Sequence, residues 1–209
     1  QRQASLRIEC KAIGAGLAID EPRANVVLDV GGGTSEVAVM SLGGIVVSQS
    51  LRVGGYDLDD AAAAWLRRTH GLAIGETTAE RVKMEVGSVA PDRSDAHSEV
   101  TGRDPITGLP RQVLMSSDGM RGALEDRVAE IIAAVIAALE ETPPELASDV
   151  SQRGIVLAGG GALLRGLAER VEQETNVPSR LADSPLTFVA EGAGQALDEL
   201  RQASKNFGA

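Results

Sequence analysis

The chain has 209 residues, enough to bury a substantial core. Its 20 basic and 30 acidic side chains leave a formal net charge of −10, which argues against nucleic-acid binding through bulk charge and against a polybasic membrane anchor. Cys10 is the single cysteine, so no intrachain disulfide or thiolate cluster forms, and four aromatics (Tyr56, Trp65, Phe188 and Phe207) are too few for a stacking surface for single strands.

In chain order, Gln1 to Lys11 is polar and mixed and predicts no element. The start at Gln1-Arg2-Gln3 fits an internal start, a processed chain or a fragment, and it shows no signal peptide. Val26 to Val30 is β-branched and apolar, broken by Asp29 and ended by three glycines, and predicts a buried strand. Thr34 to Met40 alternates, with Val37 and Val39 on one face and Glu36 and Ala38 on the other. Ile45 to Val53 completes an antiparallel meander, with turns at Gly31-Gly32-Gly33 and at Ser41-Leu42-Gly43-Gly44.

Helical spacing follows. Leu58, Ala62, Trp65 and Leu66 share the face of a helix that stops near Gly71. Thr77 to Val86 predicts a second helix, opened by Thr77-Thr78-Ala79-Glu80 in the form of a capping box. Pro91 to Pro110 predicts a polar, loop-rich region with one or two short strands, and Arg111 to Met115 a further candidate strand. Leu124, Val128, Ile131, Ile132, Val135 and Leu139 predict a long amphipathic helix, stopped by Thr142-Pro143-Pro144. The longest apolar run, Ile131 to Leu139, is too short to cross a bilayer. Ile155 to Ala158 predicts a strand, Gly159-Gly160-Gly161 a turn, and Leu163, Leu164, Leu167 and Val171 the core face of a helix starting at once. Pro178 to Leu181 predicts a last strand, and Leu197 and Leu200 a final helix. A strand meander, helices, then strand, helix and strand predict an α/β layer fold with a mixed sheet.

Two glycine triplets dominate the chemistry. Glycines at 31–33 bring the backbone close to a ligand and turn its N–H groups inward as an anion nest, with the Thr34 hydroxyl beside them. Asp29, an acid in an apolar strand, suits a hydrated Mg²⁺ beside phosphates. A plain hairpin with Asp29 bonded to backbone accounts for the same residues. Gly159 to Gly161, before a predicted helix, suit an anion at its N-terminus or simply a tight turn. The dinucleotide fingerprint and the Walker A loop are both absent. Glu80 and Lys83, one turn apart, could grip a ribose or base edge, or be a helix cap and a solvated charge. His70 and His97 lack metal-ligand spacing, Cys10 has no base partner, and Met84, Met115 and Met120 read as packing residues.

Together these segments resemble a bacterial actin of the MreB type. The carrying stretches are Ala12-Ile13-Gly14-Ala15-Gly16-Leu17, V-V-L-D-V-G-G-G-T-S-E-V-A-V from Val26, S-L-G-G-I-V from Ser41 and G-E-T-T-A-E-R-V-K from Gly75, followed by P-P-E-L-A-S-D-V from Pro143 and G-I-V-L-A-G-G-G-A-L-L-R-G-L from Gly154. The resemblance runs from about Ala12 to Leu197. It implies an actin-like (ribonuclease-H-like) ATPase lobe with an inserted smaller α+β subdomain. The implied division is residues 1–75 for the first part of the lobe, 76–141 for the insertion and 142–209 for the return to the lobe.

The resemblance also implies ATP and Mg as cofactors and self-association into filaments at the inner face of the membrane. It implies partners among wall-synthesis and membrane morphogenesis proteins, no nucleic acid and no transmembrane segment, in a cytoplasmic setting. By motif, Gly31, Gly32, Gly33 and Thr34 resemble the loop on the outer phosphates, and Asp29 the acid that orients the Mg²⁺ shell. Glu80, Arg81 and Lys83, with Gly159, Gly160, Gly161, Ala162 and Leu163, resemble the nucleoside clamp. The family's catalytic glutamate falls on Arg7, leaving Thr34 as the candidate catalytic residue. The family's first phosphate loop and N-terminal lobe have no counterpart, so the expectation is one lobe with half a nucleotide cleft, weak binding and negligible hydrolysis. The competing expectations are a non-hydrolysing protein-binding or filament-capping module and a metabolic kinase of the same fold superfamily.

Overall fold

The computed structural model describes residues 21–90 and 96–187, and singly 190, 192 and 194. Cys10, Arg7, the Ala12 to Leu17 stretch and the predicted final helix around Leu197 and Leu200 lie outside the described residues.

The meander forms as its alternation predicts. Strands β1 (Asn25–Val30), β2 (Ser35–Ser41) and β3 (Gly44–Leu51) pair antiparallel in sequence. The β2–β3 turn is two residues, with Leu42 and Gly43 both at positive φ. Later strands β6 (Ile155–Ala158) and β7 (Ser179–Leu181) add in parallel, β6 beside β1 and β7 beside β6. The sheet order is therefore β3-β2-β1-β6-β7, a mixed sheet. Both faces are buried: Val26, Leu28, Val30, Val37, Val39 and Leu157 on the helix side, and Val27, Ala38, Met40, Val156 and Ala158 on the other. A sheet sealed on both sides needs near-continuous apolar strands, which explains V-V-L and V-A-V-M as well as the four-residue β6.

Helix α1 (Gly55–His70) ends, as expected, at Gly71 in the left-handed region, with φ 58°. Helix α2 (Glu76–Val86) starts one residue earlier than the sequence suggests. Its N-cap is Gly75 and no side chain caps it, so the expected Thr77–Glu80 capping box does not form. Thr77 already sits inside the first turn, where its hydroxyl cannot take the cap position. The loop-rich region contains a seven-on-seven hairpin of β4 (His97–Arg103) and β5 (Pro110–Ser116), a separate two-stranded sheet.

Helix α3 (Ser117–Glu140) carries the predicted stripe: Leu124, Val128, Ile131, Ile132 and Val135 are buried against α1, β2 and β3. Each such side chain contributes roughly 1.5–3 kcal/mol on burial. Helix α4 (Pro144–Arg153) was not anticipated; Pro144 stands at its first turn, where a missing N–H costs nothing. Gly160–Leu163 is a short 3₁₀ turn, and helix α5 (Leu167–Thr175) begins only after Gly166, at φ 80°. Leu167 and Val171 are buried as expected, whereas Leu163 is half exposed and does not belong to the helix. Among the described residues no helix is long and apolar enough to cross a membrane.

Candidate functional site

The central strands β1 and β6 run parallel, and each ends in a glycine triplet, so both turns emerge at the same edge of the sheet. In the first turn the Gly31 N–H donates to the Thr34 carbonyl at 2.9 Å, leaving Gly32, Gly33 and Thr34 exposed at the tip. The N-terminus of α1 docks on this turn: Gly55 N–H donates to the Gly31 carbonyl at 2.9 Å and Tyr56 N–H to the Gly32 carbonyl at 2.7 Å. Asp57 accepts from the Gly54 N–H at 2.9 Å and so caps the helix from within. A Cβ on Gly54 would stand 2.7 Å from both carbonyl oxygens, so this approach requires glycine.

The second turn packs against the end of β1. Gly159 has φ 84°, and a Cβ there would collide with the Asp29 carboxylate and the Val30 carbonyl. Asp29 itself is half buried, on the Val27 face of the strand and in register with Glu36. It is engaged by a neighbour rather than bare. A 3₁₀ turn, not an α-helix, follows Gly159, and α5 begins only at Leu167. The expected contribution of a helix dipole at the second triplet therefore disappears.

Helix α2 forms the third wall. Lys83 is neither solvated nor free: its side chain is 14% exposed, its Nζ lies 2.8 Å from Asp59 Oδ1 on α1, and it donates to the Gly55 carbonyl at 3.1 Å. The Lys83–Asp59 contact is a close ion pair whose angle falls short of a well-formed hydrogen bond, so charge attraction carries it. Burial pushes the Asp59 carboxyl above its ordinary range, opposed by Lys83 and reinforced by Glu80 and Asp60. The C-terminal end of α2 is fixed by Arg165, which donates to the carbonyls of Gly87 at 2.9 Å and Glu85 at 3.1 Å. Arg165 follows the second turn directly, so its side chain, with the Val89 N–H bonded to its carbonyl at 2.9 Å, ties that turn to the end of α2.

These walls enclose a pocket of about 410 Å³ lined by Gly31, Gly32, Gly55, Asp59, Glu80 and Lys83, and opposite them by Gly160, Gly161, Leu163 and Arg165. Exposed Tyr56, Met84 and Leu186 rim it, so Met84, at 73% exposure, is not the packing residue its sequence suggested.

A family model described as MreB/Mbl protein matches residues 7–205. The chain belongs to the MreB/Mbl family. It is 49% identical over 187 residues to the cell shape-determining protein MreB of Escherichia coli strain K12, covering 90% of this chain and 54% of that protein. It is 42% identical over 194 residues to the cell shape-determining protein Mbl of Bacillus subtilis, covering 93% and 58%. The chain thus spans little more than half the length of these MreB/Mbl relatives. Among solved structures, MreB5 of Spiroplasma citri bound to AMPPNP superposes with a TM-score of 0.90 at 36% identity, over 96% of this chain and 60% of that one. A MamK double helical filament superposes at 0.75 and 25% identity, over 91% and 58%. The actin-like α/β fold with a mixed sheet is therefore the fold of this MreB/Mbl chain.

Of the residues singled out from sequence, Gly31, Gly32, Glu80, Lys83, Gly160, Gly161 and Leu163 meet in the one pocket. Gly33 and Thr34 lie at the tip of the first turn, and Asp29 and Gly159 stand behind the turns. Ala162 is buried beneath the second turn. Arg81 points elsewhere: it pairs with Glu85 at 2.6 Å and donates to the Glu99 carbonyl at 3.4 Å. Sequence reading missed Gly54, Gly55, Asp59 and Arg165. Val53-Gly54-Gly55 between a strand and a helix was a usable signal of close backbone approach. Asp59, one acid among Asp57, Asp59 and Asp60, gave none.

Proposed function

We propose that this MreB/Mbl chain supplies one wall of an ATP site, and that in its complete form the protein binds ATP with Mg²⁺ and polymerises into membrane-associated filaments that guide wall synthesis. The observation that carries the reading is the convergence of two glycine turns and the Glu80–Lys83 face on one pocket. Support comes from a neighbour crystallised with AMPPNP and with ADP, from a second neighbour that forms a double helical filament, and from relatives named for determining cell shape.

The residues fit such a ligand. Side chains on Gly31 and Gly54 would crowd the turn, and the exposed backbone at Gly32 and Gly33 suits phosphate oxygens. Thr34 adds a hydroxyl at the same tip. Glu80 and Lys83 hold the ribose or base edge, with Gly160, Gly161 and Leu163 across from them. Among the described residues no cluster of three or more His, Cys, Asp or Glu stands ready to hold a metal directly. Asp29, at the end of β1 behind the first turn, would meet a bound Mg²⁺ through the ion's water shell, a mode that ion favours. The ion, when bound, neutralises charge on the phosphates.

Hydrolysis requires preorganised charge on both sides of the transferred phosphoryl group. The residues named here line one side, so the isolated chain binds Mg-ATP weakly and turns it over negligibly. Calorimetry with Mg-ATP tests this. A dissociation constant in the micromolar range for this chain alone would overturn the one-wall reading. Complete indifference of the pocket residues to millimolar nucleotide, followed by amide chemical shifts, would overturn the site itself.

A further inference from the structure

The Lys83 ammonium sits on the pocket wall, ion-paired with the Asp59 carboxylate and donating an N–H to the Gly55 carbonyl. Gly55 is engaged at both ends. Its N–H is bonded to the first glycine turn through the Gly31 carbonyl, and its own carbonyl receives Lys83. A lysine on a four-carbon stem is ordinarily a mobile charge. Here two fixed groups on α1 hold it, the Asp59 carboxylate by charge and the Gly55 carbonyl by a hydrogen bond. Asp59 is 9% exposed, and burial works against its charge, so its ionised form is kept at a cost to the fold.

We propose that Asp59 is a positioning residue of the pocket, fixing Lys83 against the Gly55 carbonyl so that the nucleoside wall is set in register with the turn on the phosphate side. This rests on the nucleotide reading above. Asp59 does its work through Lys83: the ligand meets a cation whose place is already set, and its binding does not have to order a free side chain.

The test uses the chain's three lysines, Lys11, Lys83 and Lys205, in an amine-labelling experiment read by peptide mass spectrometry. The probe is Mg-ADP, titrated to millimolar concentration during labelling. In the wild type, Lys83 labels slowly and Mg-ADP slows it further. In Asp59→Asn, Lys83 labelling accelerates about fivefold or more and the half-protecting concentration of Mg-ADP rises by a similar factor, as expected when a close, half-desolvated ion-pair partner is lost. Asp59→Glu restores the charge and returns both values most of the way, which a purely structural role would not do. It also carries the test if the Asn variant fails to fold: a folded Glu variant with protection closer to wild type than to that of unfolded chain supports the proposal. Asp118→Asn, on the exposed start of α3, is the control and leaves both values unchanged. Protection by Mg-ADP in the wild type with no change in Asp59→Asn overturns the positioning role alone. Absence of any protection in the wild type overturns the nucleotide reading on which it rests.

Discussion

Gly54→Ala tests the docking of α1 on the first glycine turn. Gly54 has φ −155°, an extended conformation open to any residue, so the substitution costs nothing in backbone strain. The cost is steric. The new methyl would stand 2.7 Å from the carbonyl oxygens of Gly31 and Gly32, and backbone on both sides must separate. That separation weakens the hydrogen bonds from Gly55 and Tyr56, at 2.9 and 2.7 Å, each contributing about 1 kcal/mol net. Residual overpacking adds about 1–2 kcal/mol, for a total near 2–4 kcal/mol. For a chain of this size about 2–4 °C is lost per kcal/mol, so Tm falls by roughly 5–15 °C. Circular dichroism melts read the effect, with Trp65 fluorescence reporting α1 independently. Gly75→Ala is the control for crowding, because no atom lies within 4 Å of its Cβ position; as the N-cap of α2 it loses only the cap preference, about 0.5–1 kcal/mol. A Gly54→Ala melt within about 2 °C of wild type would refute the claim that this contact is close and cooperative.

Three further outcomes are expected. Gly122→Ala, at an exposed interior position of α3 with open space around it, stabilises by about 0.5–1 kcal/mol, seen as a higher urea midpoint at unchanged slope. Ser116→Ala removes the hydroxyl that accepts from the Gly119 N–H at 3.2 Å and caps α3, costing about 1 kcal/mol in the same assay. The third concerns pH. Asp59 has its carboxyl raised above the ordinary 3.8 by burial, so the native state binds its proton more tightly than the unfolded chain does. Its contribution therefore grows more favourable as pH falls through the raised value towards 3.8, and less favourable as pH rises. The unfolding free energy of wild type minus that of Asp59→Asn should increase on acidification across that window; a difference independent of pH would contradict the assignment.

The strands were legible because their sequence carries their environment. V-V-L and the four residues Ile155 to Ala158 are apolar on both sides, and the sheet is buried on both faces. Helix ends were legible where a glycine takes a left-handed conformation, as at Gly71, and not where the deciding event is tertiary. The turn after Gly161 is an example. Leu163, Leu164 and Leu167 have helical spacing, yet Gly166 starts the helix late and Leu163 is left on the pocket. Helix α4 was hidden by its prolines, which read as a stop although the second of them is a start. At the site, both triplets announced themselves, since glycine is informative wherever backbones meet. Lys83 was visible, but a solvated charge remained an open reading, because its partner Asp59 lies on another helix and no local pattern connects the two.

The docking of α1 has one more consequence. The Gly31 carbonyl belongs to the same peptide unit as the Gly32 N–H, and the Gly32 carbonyl to the same unit as the Gly33 N–H. Both carbonyls accept from the first amides of α1. A peptide whose oxygen is drawn upon becomes a more polar donor at its nitrogen, because linked hydrogen bonds polarise one another. The positive end of a sixteen-residue helix is thus relayed through two peptide planes and re-emerges at the tip of the hairpin, where Gly32 and Gly33 lie exposed. The turn carries the polarity of a helix terminus to its own exposed tip.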